Sequence, residues 1–331
     1  MAAAAVSDQT TDLSKQYDTP LGLAHSTMQV LKDRIKLHYD LASDYYLSLW
    51  GEHIHHGYWP TPESEATQTK EEAQANLIQL LLDISNLPSN SSVLDVGCGI
   101  GGTSRYLASK HGSSVTGITI SSKQVEIANR LTKAAIEDTS SSDVSDDNGF
   151  TKLGEGKVKF LELDAEKMGD FFSDQQGTFD AVWISEALSH FPNKALFFEN
   201  VMKVLKPGGK LVLADWFKDE DVDDTTFIND IKPIEVQMAC YSPPLCTQQG
   251  YVDLAKKAGL KVLSEPKDIS QQVRKTWDIT WSLVQNPSLW AFAFTQGRDG
   301  IAFLQSFRAM RRGYANGSFR YAVMVFYKEM V

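Results

Sequence analysis

Between residues 93 and 102 the chain reads Val93-Leu-Asp-Val-Gly-Cys-Gly-Ile-Gly-Gly102. The apolar residues suit a strand buried on both faces, and the glycines turn the chain sharply out of it. A helical pattern opens near Thr103. A buried strand that turns on glycine into a helix is half of a βαβ unit. Such a unit commits the chain to a parallel α/β sheet with a ligand site at the carboxyl end of the strand. Lacking a Cβ, glycine lets the backbone approach a ligand closely. The first N–H groups of the helix and its positive dipole end suit a carboxylate. Asp95, two residues before the first glycine, can anchor the loop or face an ammonium.

A ligand that carries both charges is S-adenosylmethionine. Gly97, Gly99 and Gly102 also satisfy the G-x-G-x-x-G pattern of dinucleotide enzymes, which alone is a weak signal. A nicotinamide site places an acid at the end of the second strand to hold the ribose. Here that strand, Ser114 to Ile118, runs into Gly117-Ile-Thr-Ile120, with no acid. The methyl donor is therefore the preferred ligand and a nicotinamide-dependent oxidoreductase the lesser alternative.

Strand candidates are Ser92–Val96, Ser114–Ile118, Val158–Leu163, Phe179–Ile184 and Lys210–Asp215. Helices fit between them at Thr103–Lys110, Lys123–Thr132 and Ala195–Leu205, and this alternation predicts a sheet wound on both faces. Lys206-Pro-Gly-Gly209 reads as a tight turn feeding the fifth strand. The polar run from Asp138 to Gly149 reads as a solvated insertion loop. Residues 1–17 read as a loose tail and 18–85 as a helical, aromatic-rich cap. Residues 86–217 form the ligand-binding core. Residues 218–315 hold the sixth strand and a lid with Trp277, Trp281, Trp290, Phe292, Phe294, Phe303 and Phe307. Residues 316–331 return as the last strand, antiparallel beside a strand near Lys261–Leu263.

With 32 basic and 42 acidic residues the net charge is −10, and no basic stripe suggests a nucleic-acid partner. Three cysteines without metal spacing fit a reducing compartment, and the expected location is the cytoplasm. The amino terminus does not read as a secretory signal, and no run approaches 18 apolar residues, so no membrane-spanning helix is expected. Oligomeric state stays open.

The glycine loop, with His38-Tyr-Asp40, Trp50-Gly-Glu-His-Ile-His-His-Gly-Tyr-Trp59, Tyr241-Ser-Pro-Pro-Leu-Cys246 and Met310-Arg-Arg-Gly-Tyr-Ala-Asn-Gly317, resembles class I S-adenosylmethionine-dependent methyltransferases. Within them it is most similar to the gamma-tocopherol methyltransferase group, from about Tyr39 to Glu329. Alkaloid N-methyltransferases, sterol C-methyltransferases, sarcosine/dimethylglycine N-methyltransferases and cyclopropane fatty-acid synthases are relatives. The resemblance implies a doubly wound, mostly parallel seven-stranded Rossmann-like sheet, with a helical cap and a lid inserted before the last strand. It implies S-adenosyl-L-methionine as cofactor and a hydrophobic small-molecule acceptor: an isoprenoid, an alkaloid or another secondary metabolite.

The resemblance also carries site residues. Gly97, Gly99 and Gly101 would lie along the methionine part of the donor, near Asp95 and Ser185. Thr119 and Gln124 resemble the pair that replaces the ribose-binding acid. Asp164 and Ala165 resemble an adenine site, and Tyr39 a tyrosine that closes over the donor. A turn-capping role is the alternative for Asp164, interhelix packing for Tyr39, and plain helix exposure for Gln124. Glu186 and His190 resemble the carboxylate and imidazole of alkaloid N-methyltransferases. Four residues apart on a helical turn they would share a face, Glu186 holding the imidazole that accepts or orients a proton. Core packing is the alternative for His190. His56, Tyr58, Trp216 and Tyr241 are the candidate acceptor contacts. The spacing of His53, His55 and His56 suits no structural zinc set, and no metal is expected.

Two departures bear on the reaction. Cyclopropane synthases carry a carboxylate where this chain has Ser189, and a second histidine near Ala214. Both losses argue against cyclopropanation, and the missing acid at Ser189, which alkaloid N-methyltransferases also carry, weakens the assignment of an amine acceptor. A non-methylating cyclase or pericyclase of the same fold remains the alternative from another class.

Overall fold

The eight strands are β1 (Ser92–Val96), β2 (Ser114–Thr119), β3 (Thr151–Leu153), β4 (Gly156–Glu162), β5 (Phe179–Ser185), β6 (Leu205–Lys218), β7 (Lys261–Asp268) and β8 (Phe319–Tyr327). They form one sheet in the order β3-β4-β2-β1-β5-β6-β8-β7. The computed structural model describes residues 32–33, 36, 39–40, 43–44, 46–48, 50–137, 146, 148–235, 244–285, 287–295 and 297–330.

From β4 through β2, β1 and β5 to β6 every pairing is parallel. β8 inserts antiparallel between β6 and β7, with Lys261 opposite Tyr327, as the returning strand was expected to do. The sheet has one strand more than the expected seven. The extra one, β3, is three residues long and pairs antiparallel with β4. A polar strand that short leaves no hydrophobic period to read.

Helices cover both faces, so the inner strands are apolar at nearly every position rather than at every second one. Alternate residues feed two cores. Val93, Ala181 and Trp183 join the core under the helix Lys70–Ser85, where Leu77, Ile78 and Leu81 are buried. Leu94, Val96, Val182 and Ile184 join the opposite core with Phe197, Phe198 and Val201 of the helix Lys194–Val204. The helix Lys70–Ser85 starts on a capping box: the Thr69 hydroxyl accepts from the Glu72 N–H and Glu72 accepts from the Thr69 N–H.

The expected turn at Lys206–Gly209 lies inside β6. Phe179 pairs with Leu205 and Ala181 with Lys210, so the intervening residues bulge out of the ladder. Gly208 takes a φ of +78° there. After β7 come the helices Lys275–Val284, Pro287–Thr295 and Gly297–Asn316. The first of them and the short helix Ser270–Val273 before it meet the cap segment directly: the Gly57 N–H donates to Thr276 Oγ1 at 3.1 Å and the Trp59 N–H to the Gln272 carbonyl at 2.9 Å.

Candidate active site

At the carboxyl ends of β1, β2, β4 and β5 lies a cleft of about 1090 Å³, its open mouth included. β1 pairs with β2 on one side and β5 on the other, so the cleft sits where the strand order reverses, the place open α/β sheets bind ligands. Tyr39, Asp95, Gly97, Gly99, Thr119, Gln124, Asp164, Ala165, Ser185, Glu186 and His190 line it.

The glycines of the loop have different duties. The N–H groups of Gly97 and Cys98 both donate to the Ile118 carbonyl, at 2.9 and 3.0 Å, and tie the loop to the end of β2. A Cβ on Gly97 would lie 2.4 Å from that of Ala187, and one on Gly101 would lie 2.5 Å from the Phe160 ring. Gly101 does not line the cleft, contrary to expectation; it lets the helix Gly102–His111 pack against β4. A Cβ on Gly99 would meet nothing nearer than Gln124 Nε2 at 4.0 Å. Its φ of +53° and that open space leave its backbone free for a ligand to approach. No side chain caps the helix that follows, and Gly102 and Thr103 at its amino end line the cleft.

Asp95 is buried and accepts a hydrogen bond from Ser104 Oγ at 2.5 Å, which anchors the loop. Burial pushes its carboxyl up to about 7. Thr119 Oγ1 donates to Gln124 Oε1 at 2.5 Å, and Gln124 is buried rather than exposed on its helix. Asp164 caps the turn Ala165–Lys167 through the Glu166 N–H at 3.0 Å and lines the cleft as well. Its other oxygen lies 2.7 Å from Lys32 Nζ, which also meets Glu166 at 2.6 Å. Burial alone would pull the Lys32 ammonium down, but the two carboxylates hold it above its ordinary value.

Glu186 and His190 both line the cleft, but the expected bond between them does not form. Glu186 takes a left-handed φ of +56°, which breaks the helical spacing, and His190 closes a separate 3-10 turn, Leu188–His190. The Glu186 carboxylate is taken from the other side. Oε1 accepts from the His56 N–H at 2.7 Å and the Tyr321 hydroxyl at 2.7 Å. Oε2 accepts from His56 Nδ1 at 3.0 Å. The positive charge and hydrogen bonds of a paired imidazole outweigh burial and hold Glu186 below its ordinary value. The His190 ring stands edge-on to Tyr39 at 6.4 Å and to Trp216 at 6.1 Å. The Tyr39 hydroxyl is pushed up to about 12 by burial and by the charge of Glu186.

Of the candidate acceptor contacts, His56, Tyr58 and Trp216 do not line the cleft. His56 is buried behind Glu186, ringed by Trp277 and Tyr321 at 4.9 Å, Trp216 at 5.9 Å and Tyr314 at 6.3 Å. Trp216 therefore bridges His56 and His190. Tyr58 does not reach the cleft; its N–H donates to the Ala73 carbonyl and its ring packs on the core. Tyr241 lies outside the described residues. Among the described residues no three His, Cys, Asp or Glu side chains gather to hold a metal ion. His53 is held down to about 3, first by burial, and its ring meets His55 at 5.2 Å. Sequence reasoning missed Lys32, Glu52 and Ile54 as lining, and Tyr321 as a partner of Glu186.

Residues 94–213 match a family model described as a methyltransferase domain. The chain is 29% identical over 308 residues to a probable tocopherol O-methyltransferase, chloroplastic, of Oryza sativa subsp. japonica, covering 89% of this chain and 77% of that protein. It is 30% identical over 238 residues to the O-methyltransferase cnsE of Penicillium expansum, covering 71% and 75%. Two solved structures share the fold. A putative sarcosine dimethylglycine methyltransferase from Galdieria sulphuraria superposes with a TM-score of 0.70 at 21% identity, over 88% of this chain and 98% of that one. The [4+2]-cyclase SpnF superposes at 0.69 and 21%, over 91% and 97%. Joined to a glycine loop without a ribose-binding acid, these matches identify the chain as a member of the S-adenosylmethionine-dependent methyltransferases, with S-adenosyl-L-methionine as its cofactor.

Proposed function

We propose that the enzyme methylates a hydrophobic, mid-sized small molecule, such as an isoprenoid, an alkaloid or a polyketide. The observation that carries this is the aromatic edge at the Glu186 end of the cleft, where Tyr39 and His190 line it and stand edge-on to each other, with Trp216 packed behind His190 in the core. The relative named as a probable tocopherol O-methyltransferase supports the same class. A net charge of −10 speaks against a nucleic-acid acceptor.

In this reading the donor's carboxylate meets the amino end of the helix Gly102–His111 and its ammonium lies toward Asp95. Gly97 and Gly99 border the methionine moiety, with Ser185 beside it. Thr119 and Gln124 take the ribose, Asp164 and Ala165 the adenine, and Tyr39 covers the donor. The methyl group is already activated, so the protein positions the acceptor and excludes water. His190 orients the acceptor or takes a departing proton. The cap (18–85), core (86–217), lid (218–315) and returning strand (316–331) are the working units of this proposal. Among the described residues no helix is long and apolar enough to cross a membrane. The free thiols Cys98 and Cys246 support a reducing compartment, and the cytoplasm is the proposed one.

The test is binding followed by turnover. S-adenosylhomocysteine should quench or shift tryptophan fluorescence with saturation, while NADH should not. Incubation of S-adenosylmethionine with prenylated phenols, indole alkaloids and polyketides should give a product heavier by one methyl group in place of hydrogen. Donor binding with a rearranged product of unchanged mass would instead favour the cyclase.

A further inference from the structure

His55 belongs to the cap segment and lines the cleft, yet it is only 7% exposed. Gln74 fixes the backbone around it, donating from Nε2 to the His55 carbonyl at 3.0 Å and the His53 carbonyl at 2.6 Å. The Nδ1 atom of His55 lies 2.9 Å from the carbonyl oxygen of His56. A carbonyl only accepts, so Nδ1 carries the hydrogen. Burial holds the ring below its ordinary value, against the pull of the Glu186 carboxylate, so it is uncharged at neutral pH. Nε2 is then a bare lone pair. Among the described residues this buried atom meets no hydrogen-bond partner. A buried acceptor left without a donor is costly, and a ligand that brings one relieves the cost.

The same segment rests on the amino end of the helix Gly102–His111. A Cβ on Gly102 would lie 2.2 Å from the Glu52 carbonyl oxygen and 2.8 Å from His53 Nδ1. Gly102 and Thr103 line the cleft there, and no side chain caps the helix. Such a helix end attracts a carboxylate. In an amino acid the ammonium stands on the carbon that bears the carboxylate, so groups that border one border the other. An ammonium brings three N–H donors. Asp95 can meet only part of them, since its Oδ2 already accepts from Ser104. A neutral imidazole nitrogen supplies a further acceptor without placing a second charge beside the loop.

Resting on the methyltransferase reading and its placement of the donor, we infer that His55, through Nε2, accepts a hydrogen bond from the α-ammonium of S-adenosylmethionine. The cap then supplies a donor-binding residue of its own at the methionine end, opposite the glycine loop and Asp95 of the core. The bond between Nδ1 and the His56 carbonyl sets the tautomer that this contact needs.

The test is calorimetric titration of the full chain with S-adenosylhomocysteine and with its des-amino analogue, which has hydrogen in place of the α-amino group. The wild type should bind S-adenosylhomocysteine tighter than the analogue by about tenfold or more, the worth of a hydrogen bond from a charged group. His55→Phe should shrink that ratio by about tenfold, because its affinity for S-adenosylhomocysteine falls while its affinity for the analogue stays near wild type. An equal fall for both ligands would make His55 a packing residue and overturn the inference. An undiminished ratio in His55→Phe would also overturn it and leave the ammonium to Asp95, and so would a wild type that binds both ligands equally. If His55→Phe does not fold, His55→Leu decides the matter by the same ratio. Failure of the wild type to bind S-adenosylhomocysteine at all would count against the methyltransferase reading instead.

Discussion

The carbonyl oxygen of Glu52 lies 2.2 Å from where a Cβ on Gly102 would stand. The cap segment rests on the first turn of the glycine-loop helix with no room for a methyl group. Glu52, His53 and Ile54 line the cleft from that position. Gly102→Ala should therefore lift this segment, at a cost of about 1–3 kcal/mol for overpacking. Thermal unfolding should shift down and S-adenosylhomocysteine should bind more weakly. A variant unchanged in both would show that the cap is not seated on the helix.

Gly99 differs from its neighbours because no protein atom crowds its missing Cβ. Gly99→Val meets only the strain of a β-branched residue at positive φ, about 1–3 kcal/mol. Its larger effect should be on the donor, whose approach the branched side chain blocks. Calorimetric titration should show donor-product binding lost while the far-UV spectrum stays native-like. Full affinity in the folded variant would remove the loop from the donor site.

The strands of the core were readable because a sheet covered on both faces writes continuous apolar runs, as in Val93-Leu-Asp-Val96 and Ala181-Val-Trp-Ile184. The glycine loop was readable because close backbone approach demands one residue type. What the local pattern could not show was partnership across the chain. Glu186 was paired with His190 on a family resemblance and on spacing, but its left-handed φ of +56° breaks the helical turn on which that spacing depended. Its actual partners come from 130 residues before it and 135 after it. No local period encodes such a meeting. Tyr58 was read as an acceptor contact from its motif, yet its N–H bonds the Ala73 carbonyl and its ring packs on the core. Lys32 gave no signal because a lone lysine in a helical stretch reads as a solvated charge.

Asp95 gives a pH prediction with a definite sign. Its folded carboxyl is raised by burial from 3.8 to about 7, so the folded protein binds more protons there than the unfolded chain between those values. Stability should thus fall as pH rises from about 4 to about 7 and level off above, by up to a few kcal/mol from this group. Asp215, raised by burial to about 6, acts in the same sense. Asp95→Asn removes only its own part and keeps an acceptor for Ser104. Urea unfolding across that range should give a shallower fall for the variant than for wild type. Parallel curves would mean that Asp95 ionises in the folded protein as easily as in water.

His190 is set on a fixed backbone. The neighbouring Ser189 N–H donates to the buried Asp215 at 2.7 Å, and Lys194 Nζ donates to the carbonyls of Ser189 and Phe191 at 3.0 and 3.1 Å. The loop is held from beneath, and the imidazole faces the cleft beside Tyr39 and Trp216. For an acceptor whose reacting atom carries a departing proton, His190→Ala should lower kcat about 10²–10⁴-fold. Donor affinity should stay near wild type, since the donor contacts lie on the loop and on Thr119, Gln124 and Asp164. Because Glu186 is bound to His56 and Tyr321 and not to His190, His190→Ala should leave the Glu186 carboxylate in place. Steady-state kinetics and donor titration on the same preparation separate the cases. Unchanged kcat would make catalysis a matter of positioning alone, and lost donor affinity would move His190 into the donor's shell.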